Sequence, residues 1–254
     1  MRRRVEASSR VGARRIAALT LAGAVLVQCS AAPSPSPSPS PSSLATSRTP
    51  SANAAPPAAS PIQPANAAPP AASPIQPVTA AELGPSLRPG CPIDPQRLRR
   101  VVVDYLGFDG QPHRGALIVN EDLAADVIAI FGQLLALHYP IDKIRTVDNY
   151  PDADDELSME DNNTSAFNCR DIPGTGHWSQ HAFGRAIDLN PLLNPEIDRT
   201  GAIQPKTAAP YVDRNRTDPG ILHAGDPVVR VFTDRGWRWG GDWTTPLDYQ
   251  HFER

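Results

Sequence analysis

Large apolar side chains are nearly missing from residues 33–77 of this chain. Of its 29 prolines, 14 fall between Pro33 and Pro77, in a stretch of serine, alanine and proline. Such a segment cannot bury a core. Cysteine is almost as scarce, with Cys29, Cys91 and Cys169 only, which leaves a poor case for a thiolate metal site or a cysteine nucleophile. The one sustained apolar run, Ile16 to Val27, has 12 residues, short for a bilayer crossing, so a multi-span membrane protein is excluded. Positive charge is thin beyond the first residues. Once the arginines at 2, 3, 4, 10, 14, 15 and 48 and Glu6 are set aside, 17 basic residues face 26 acidic ones, about -9. A domain that acidic is ill suited to phosphate backbones, so no nucleic-acid partner is expected.

What is present falls into three parts. Residues 1–32 read as a signal peptide or lipoprotein signal: arginines first, then the apolar run, then Gln28-Cys29-Ser30 and two alanines. Leu26-Val27-Gln28-Cys29 resembles a bacterial lipobox, which makes Cys29 the candidate for lipidation and a membrane tether. Export to the cell envelope is expected, as an anchored lipoprotein or as a protein secreted to the wall. Residues 33–77 read as a disordered linker. Within it Ala52 to Pro64 recurs unchanged as Ala65 to Pro77, a duplication with no apolar face to stack as a solenoid. Extended at ~3.1 Å per residue, the linker could reach on the order of 100 Å. Residues 78–254 are long enough for one domain with a real core.

In that domain Val101–Tyr105 and Ala116–Val119 predict strands. Asn120 predicts an N-cap for a helix over 121–138, with Leu123, Val127, Ile130, Leu134 and Leu137 on one face. Lys143–Asp148 predicts a strand. Asp226 and Pro227 predict a second helix, ended by Gly236. Trp237–Trp239 and Gln250–Phe252 predict further strands. The elements do not alternate as long βαβ units, so the fold class is α+β, a single domain with a mainly antiparallel sheet and flanking helices. In an exported protein the isolated pair Cys91 and Cys169 is most simply a disulfide.

Two stretches carry chemistry. The first runs Ser179-Gln-His181-Ala-Phe-Gly184-Arg-Ala-Ile-Asp188, and the second holds Gly240-Gly-Asp242-Trp243 and Asp248-Tyr-Gln-His251-Phe252. Two histidines and a carboxylate, with a fourth position left to water, make a catalytic rather than a structural zinc site. Zinc lowers the pKa of its water to ~7, and a free carboxylate is then needed as base and later as acid. Asp248 has the position for that. Residue spacing by itself leaves another reading open, in which Asp188 caps a turn and His251 is a satisfied, partly buried histidine.

Both motifs, in order and intact, resemble the zinc D-alanyl-D-alanine peptidase family of VanY-like DD-carboxypeptidases, DD-dipeptidases and L-alanyl-D-glutamate endolysins. The resemblance spans most of 91–254 and includes Asn163-Thr-Ser-Ala-Phe-Asn-Cys-Arg170. It implies a hedgehog/DD-peptidase-like fold with Zn2+ as cofactor. It also implies His181, Asp188 and His251 as zinc ligands, Asp248 as general base, and an arginine upstream to hold the oxyanion. Arg170 is the candidate for that last role, against a structural arginine pairing with Asp171 or the acidic run. Ser179 binds substrate or caps the turn after it.

The implied activity is hydrolysis of peptidoglycan stem peptides by a monomer. The rivals are a non-catalytic wall-binding module on the same fold and a peptidoglycan amidase. The carboxylates from Asp152 to Asp161 fit no calcium loop and read as a solvated loop. His177, four before His181, reads as a loop residue. The tryptophans at 178, 237, 239 and 243 read as groove walls or as core.

Overall fold

The structure, a computed structural model, describes residues 73–254. The export segment, Cys29 and most of the linker lie outside the described residues. Chain order runs β1 (Ile75–Pro77), α1 (Ala80–Leu83), β2 (Leu98–Leu106), β3 (Pro112–Asn120), α2 (Ala124–Ala136), β4 (Lys143–Ile144) and α3 (Asp155–Glu160). It continues through β5 (Asn163–Thr164), β6 (Asp171–Ile172), β7 (His177–Trp178), β8 (Ala186–Asp188), β9 (Glu196–Ile197) and β10 (Ile203–Gln204). Then come α4 (Pro227–Thr233), β11 (Arg238–Trp239), β12 (Leu247–Asp248) and β13 (His251–Glu253).

The fold is mixed helix and strand, with pairing antiparallel apart from β4 on β5. The mainly antiparallel pairing expected is spread over several short sheets. Three three-stranded sheets form, ordered β1-β2-β3, β10-β9-β12 and β11-β13-β8. The β2–β3 hairpin is the longest, in register from Leu98↔Asn120 to Leu106↔Pro112. Helix α2 lays Val127, Ile130, Phe131 and Leu134 on Val101, Val103, Leu117 and Val119, and the same core takes in Ile187, Phe232 and Phe252. Each such fully buried side chain is worth about 1.5–3 kcal/mol.

Several sequence expectations shift in register. Helix α2 begins at Ala124, and Asn120 is the last residue of β3 rather than its cap. The Asn120 side-chain amide donates to Phe183 O at 3.1 Å and its backbone N–H to Gly184 O at 2.8 Å, contacts that tie the residue to the turn of the first motif rather than to the helix. Leu137 lies past the helix end and is exposed. The strand expected over Lys143–Asp148 stops at Ile144 because the Asn163 side chain takes both Arg145 N–H and Arg145 O. Asp226 does precede α4, but its carboxylate accepts from His223 N–H instead of from the helix. Ordered structure also starts earlier than Val78, since β1 pairs with β2.

Gly184 joins the hairpin to the first motif. Its φ is +65°, and a Cβ there would lie 2.7 Å from Asn120 N and 2.8 Å from Leu98 Cδ2. Left-handed backbone costs a non-glycine residue roughly 1–2 kcal/mol before any clash. Gly184→Ala is therefore expected to lower the thermal midpoint by more than about 4 °C, at 2–4 °C per kcal/mol for this size, as read by circular dichroism.

Candidate metal centre

Ser179 caps a short 3₁₀ turn, Gln180–Phe183, by accepting from His181 N–H at 3.3 Å. The turn presents His181, and Gly184 redirects the chain into β8, which carries Asp188. Strand β13 pairs with β8 so that His251 stands directly opposite Asp188. Cross-strand partners on one face hold their Cβ atoms about 5 Å apart, so the backbone ladder itself brings two of the three groups together.

The side chains converge and are buried. His181 Nε2 lies 3.0 Å from Asp188 Oδ2, His251 Nδ1 lies 3.1 Å from Asp188 Oδ1, and the two ring nitrogens are 3.2 Å apart. Donor atoms 2.0–2.1 Å from a tetrahedral centre stand about 3.3 Å from one another. The three donor atoms thus have the spacing of a zinc ligand face.

The outer nitrogens are accounted for. His181 Nδ1 faces Ala166 O at 2.5 Å, and His251 Nε2 faces Glu253 Oε2 at 3.2 Å. An N–H on each of those outer atoms leaves His181 Nε2 and His251 Nδ1 as the ligating atoms, the usual outer support of a metal-bound histidine. Sequence reasoning missed Glu253. The signal was there: residues i and i+2 of a strand share a face, and His251-Phe-Glu253 is such a pair. Glu253→Gln is expected to weaken zinc binding about 10- to 100-fold, measured by competition with a chromogenic chelator.

Burial opposes the charge of His251, but its hydrogen bonds to Asp188 and Glu253 prevail and its pKa is pushed up to about 10. Asp188 is held far below the usual carboxylate range, its burial outweighed by the two histidines. Without metal, the stability due to charged His251 is present below pH about 6.5 and lost as pH rises through about 10. A cation must displace that proton. Zinc uptake is therefore expected to release protons near neutral pH and to tighten from pH 6 to 8, read by titration in weak buffer.

Asp248, on β12, is buried with Oδ2 4.0 Å from His251 Nδ1. Its Oδ1 is buried and has no hydrogen-bond partner among the described residues. Burial raises its pKa well above the usual carboxylate range, while His251 and Arg170 pull the other way. Its cross-strand neighbour is Glu196 on β9, also raised by burial. Nothing in the sequence pointed to Glu196, because only the β9–β12 register brings it opposite Asp248.

Arg170 pairs with Asp155 at 2.9 Å, while its Nε is buried and has no partner among the described residues. Burial works against its charge, but Asp155, Asp188, Glu196 and Asp248 together raise its pKa. Next to it, Cys169 is bonded to Cys91, as the pairing argument expected. Ser179 is buried, with its hydroxyl engaged in the cap. His177 is exposed on β7 and stands outside the cluster.

The four tryptophans part company. Trp237 and Trp239 are core, their N–H groups donating to Asp126 and to Tyr249 O. Trp178 is exposed, and half-buried Trp243 lies 5.4 Å from the His251 ring. The acidic run is no solvated loop. Asp154 caps α3, Asp155 holds Arg170, Glu156 accepts from Lys206 N–H, and Asp161 binds Lys143 and Tyr150.

The arrangement is a two-histidine, one-carboxylate centre with a buried spare carboxylate beside it, as in hydrolases that activate water on a metal. Residues 173–254 match the family model for D-alanyl-D-alanine carboxypeptidase, so this segment is similar to that family. The matched stretch contains His181, Asp188, Asp248 and His251 and stops short of Arg170. No curated protein and no solved structure is significantly similar to the chain.

Proposed function

We propose that this chain is a zinc-dependent peptidase cutting peptidoglycan stem peptides, of the D-Ala-D-Ala carboxypeptidase or L-Ala-D-Glu endopeptidase type. The observation that carries the reading is the meeting of His181 Nε2, Asp188 and His251 Nδ1 beside an Asp248 carboxyl with an unpartnered oxygen. His181, Asp188 and His251 would hold the ion. Zinc there supplies Lewis acidity and a water acidic enough to attack at neutral pH. Asp248 takes the proton of the attacking water and returns it to the leaving amine. Arg170, with a free buried Nε, steadies the charge growing on the carbonyl oxygen. Trp243, packed beside the His251 ring, flanks the approach.

Sequence supports the setting: an exported chain, held by a lipid on Cys29 or released to the wall, acting as a monomer with no nucleic-acid partner. The test is a digest of purified peptidoglycan read by mass. Loss of terminal D-alanine or scission after L-alanine supports the reading. Peptide-free lactyl sugar would mark an amidase, and no new fragment from zinc-loaded protein would mark a binding module. Arg170→Ala is expected to lower kcat about 10²- to 10³-fold with a smaller change in KM, measured on a released stem peptide.

A further inference from the structure

An acidic domain has gathered three arginines around one hollow. The cavity, of about 320 Å³, is lined by Arg100 of β2, Arg114 of β3 and Arg145, which follows β4, together with Thr146 and Asn149. We propose that this cavity is a binding site for a phosphoryl group, carried by a phosphate monoester or as free phosphate. None of the residues lining it belongs to the metal centre.

The fold brings the cations together. Val101, Val103, Leu117 and Val119 of the hairpin pack with α2. Arg100 and Arg114 occupy alternate positions on the same strands, so they stand on the outer face. Strand β4 approaches so closely that a Cβ on Gly115 would lie 2.4 Å from Ile144 Cβ. A glycine at 115 is what lets Arg145 come in from the side. The Asn163 side chain holds the Arg145 backbone at both N–H and C=O, at 2.8 and 3.0 Å, which fixes the point from which this cation reaches out.

The charges are out of balance. Arg114 Nε donates to Asp104 at 2.8 Å. Arg97 and Arg99 pair with Glu121, and Lys143 with Asp161, whereas Arg100 and Arg145 have no ion-pair partner among the described residues. Cations held round one hollow repel each other, and an anion between them turns that repulsion into attraction. Thr146 adds a neutral donor. It is 7 % exposed, and its Oγ1 accepts from Asn149 Nδ2 at 2.9 Å, which leaves the hydroxyl hydrogen to donate.

The donors define the ligand. Arginine forks match the oxygens of carboxylates and phosphates. A carboxylate brings a single negative charge. A phosphate monoester brings about two, with three acceptor oxygens, which suits two unpaired arginines, a third on its ion pair and a hydroxyl. The volume lies at the small end for ligand pockets, enough for the group and part of what bears it. Convergence on one hollow also separates this site from one for a polymer backbone, whose cations spread along a face.

The test is calorimetric titration of the zinc-loaded full chain with inorganic phosphate, glucose 6-phosphate and sodium acetate at constant ionic strength. One site per chain is expected for both phosphates. Tighter binding of glucose 6-phosphate would mark an ester as the ligand, and equal binding free phosphate. Arg100→Gln and Arg145→Gln should each weaken binding about 10-fold, the loss of one charge-assisted contact, and together abolish it. Both side chains are exposed, so these substitutions leave the core untouched. His181→Ala should bind phosphate like the parent. Acetate held as tightly as phosphate would overturn the proposal. So would unchanged binding in both arginine variants, or loss of binding in His181→Ala, because the anion would then sit on the metal.

Discussion

Asp248→Ala is expected to keep about one zinc per chain and to lose peptide hydrolysis by on the order of 10²- to 10⁴-fold, the range for a positioned general base. The carboxylate sits 4.0 Å from His251 Nδ1, farther than Asp188, and is not one of the three converging donors. Its removal should leave the ligand face in place. The variant loses the group whose Oδ1 is buried without a partner and whose proton affinity burial has raised. A carboxyl tuned upward holds the proton of the attacking water better than an ordinary aspartate and still releases it to an amine. Metal content by atomic emission and turnover of a stem peptide, measured on one preparation, check both halves. Full activity in this variant would remove Asp248 from the base role.

His181→Ala should behave in the opposite order, losing metal first and activity as a consequence. Its ring supplies one donor of the set, and Ala166 O fixes which nitrogen faces inward. Loss of a direct ligand is expected to exceed the 10- to 100-fold cost of losing an outer partner such as Glu253. Equilibrium dialysis against zinc reads it. The fold should survive, because the Gly184 turn, the β8–β13 ladder and the α2 core do not depend on the imidazole. A far-ultraviolet spectrum like the parent's, with zinc absent, is the expected pair of results.

The site was more legible in the sequence than the sheets that carry it. His181, Asp188, Asp248 and His251 sit in short motifs whose residue types are dictated by chemistry, so local pattern is enough. Arg170 was visible as an upstream cation, but its partner Asp155 lies in a run that reads as solvated surface until folding brings it across. The strands over 98–106 and 112–120 were clear because β-branched residues cluster there. The antiparallel pairing expected behind them is present, divided among several short sheets. Several later strands are two residues long, too short for any periodicity, and their pairing depends on side chains such as Asn163. Asn120 shows the same limit. Its type suits a helix cap and equally suits the contact with Phe183 and Gly184, and only the packed hairpin decides. Glu196 depends on register alone.

The most direct test of the centre is X-ray absorption of the zinc-loaded chain at the metal edge. The account predicts two imidazole nitrogens at about 2.0–2.1 Å, the remaining near neighbours oxygen, and one imidazole lost in His251→Ala. A shell with a single imidazole or none, or one unchanged in that variant, would contradict it.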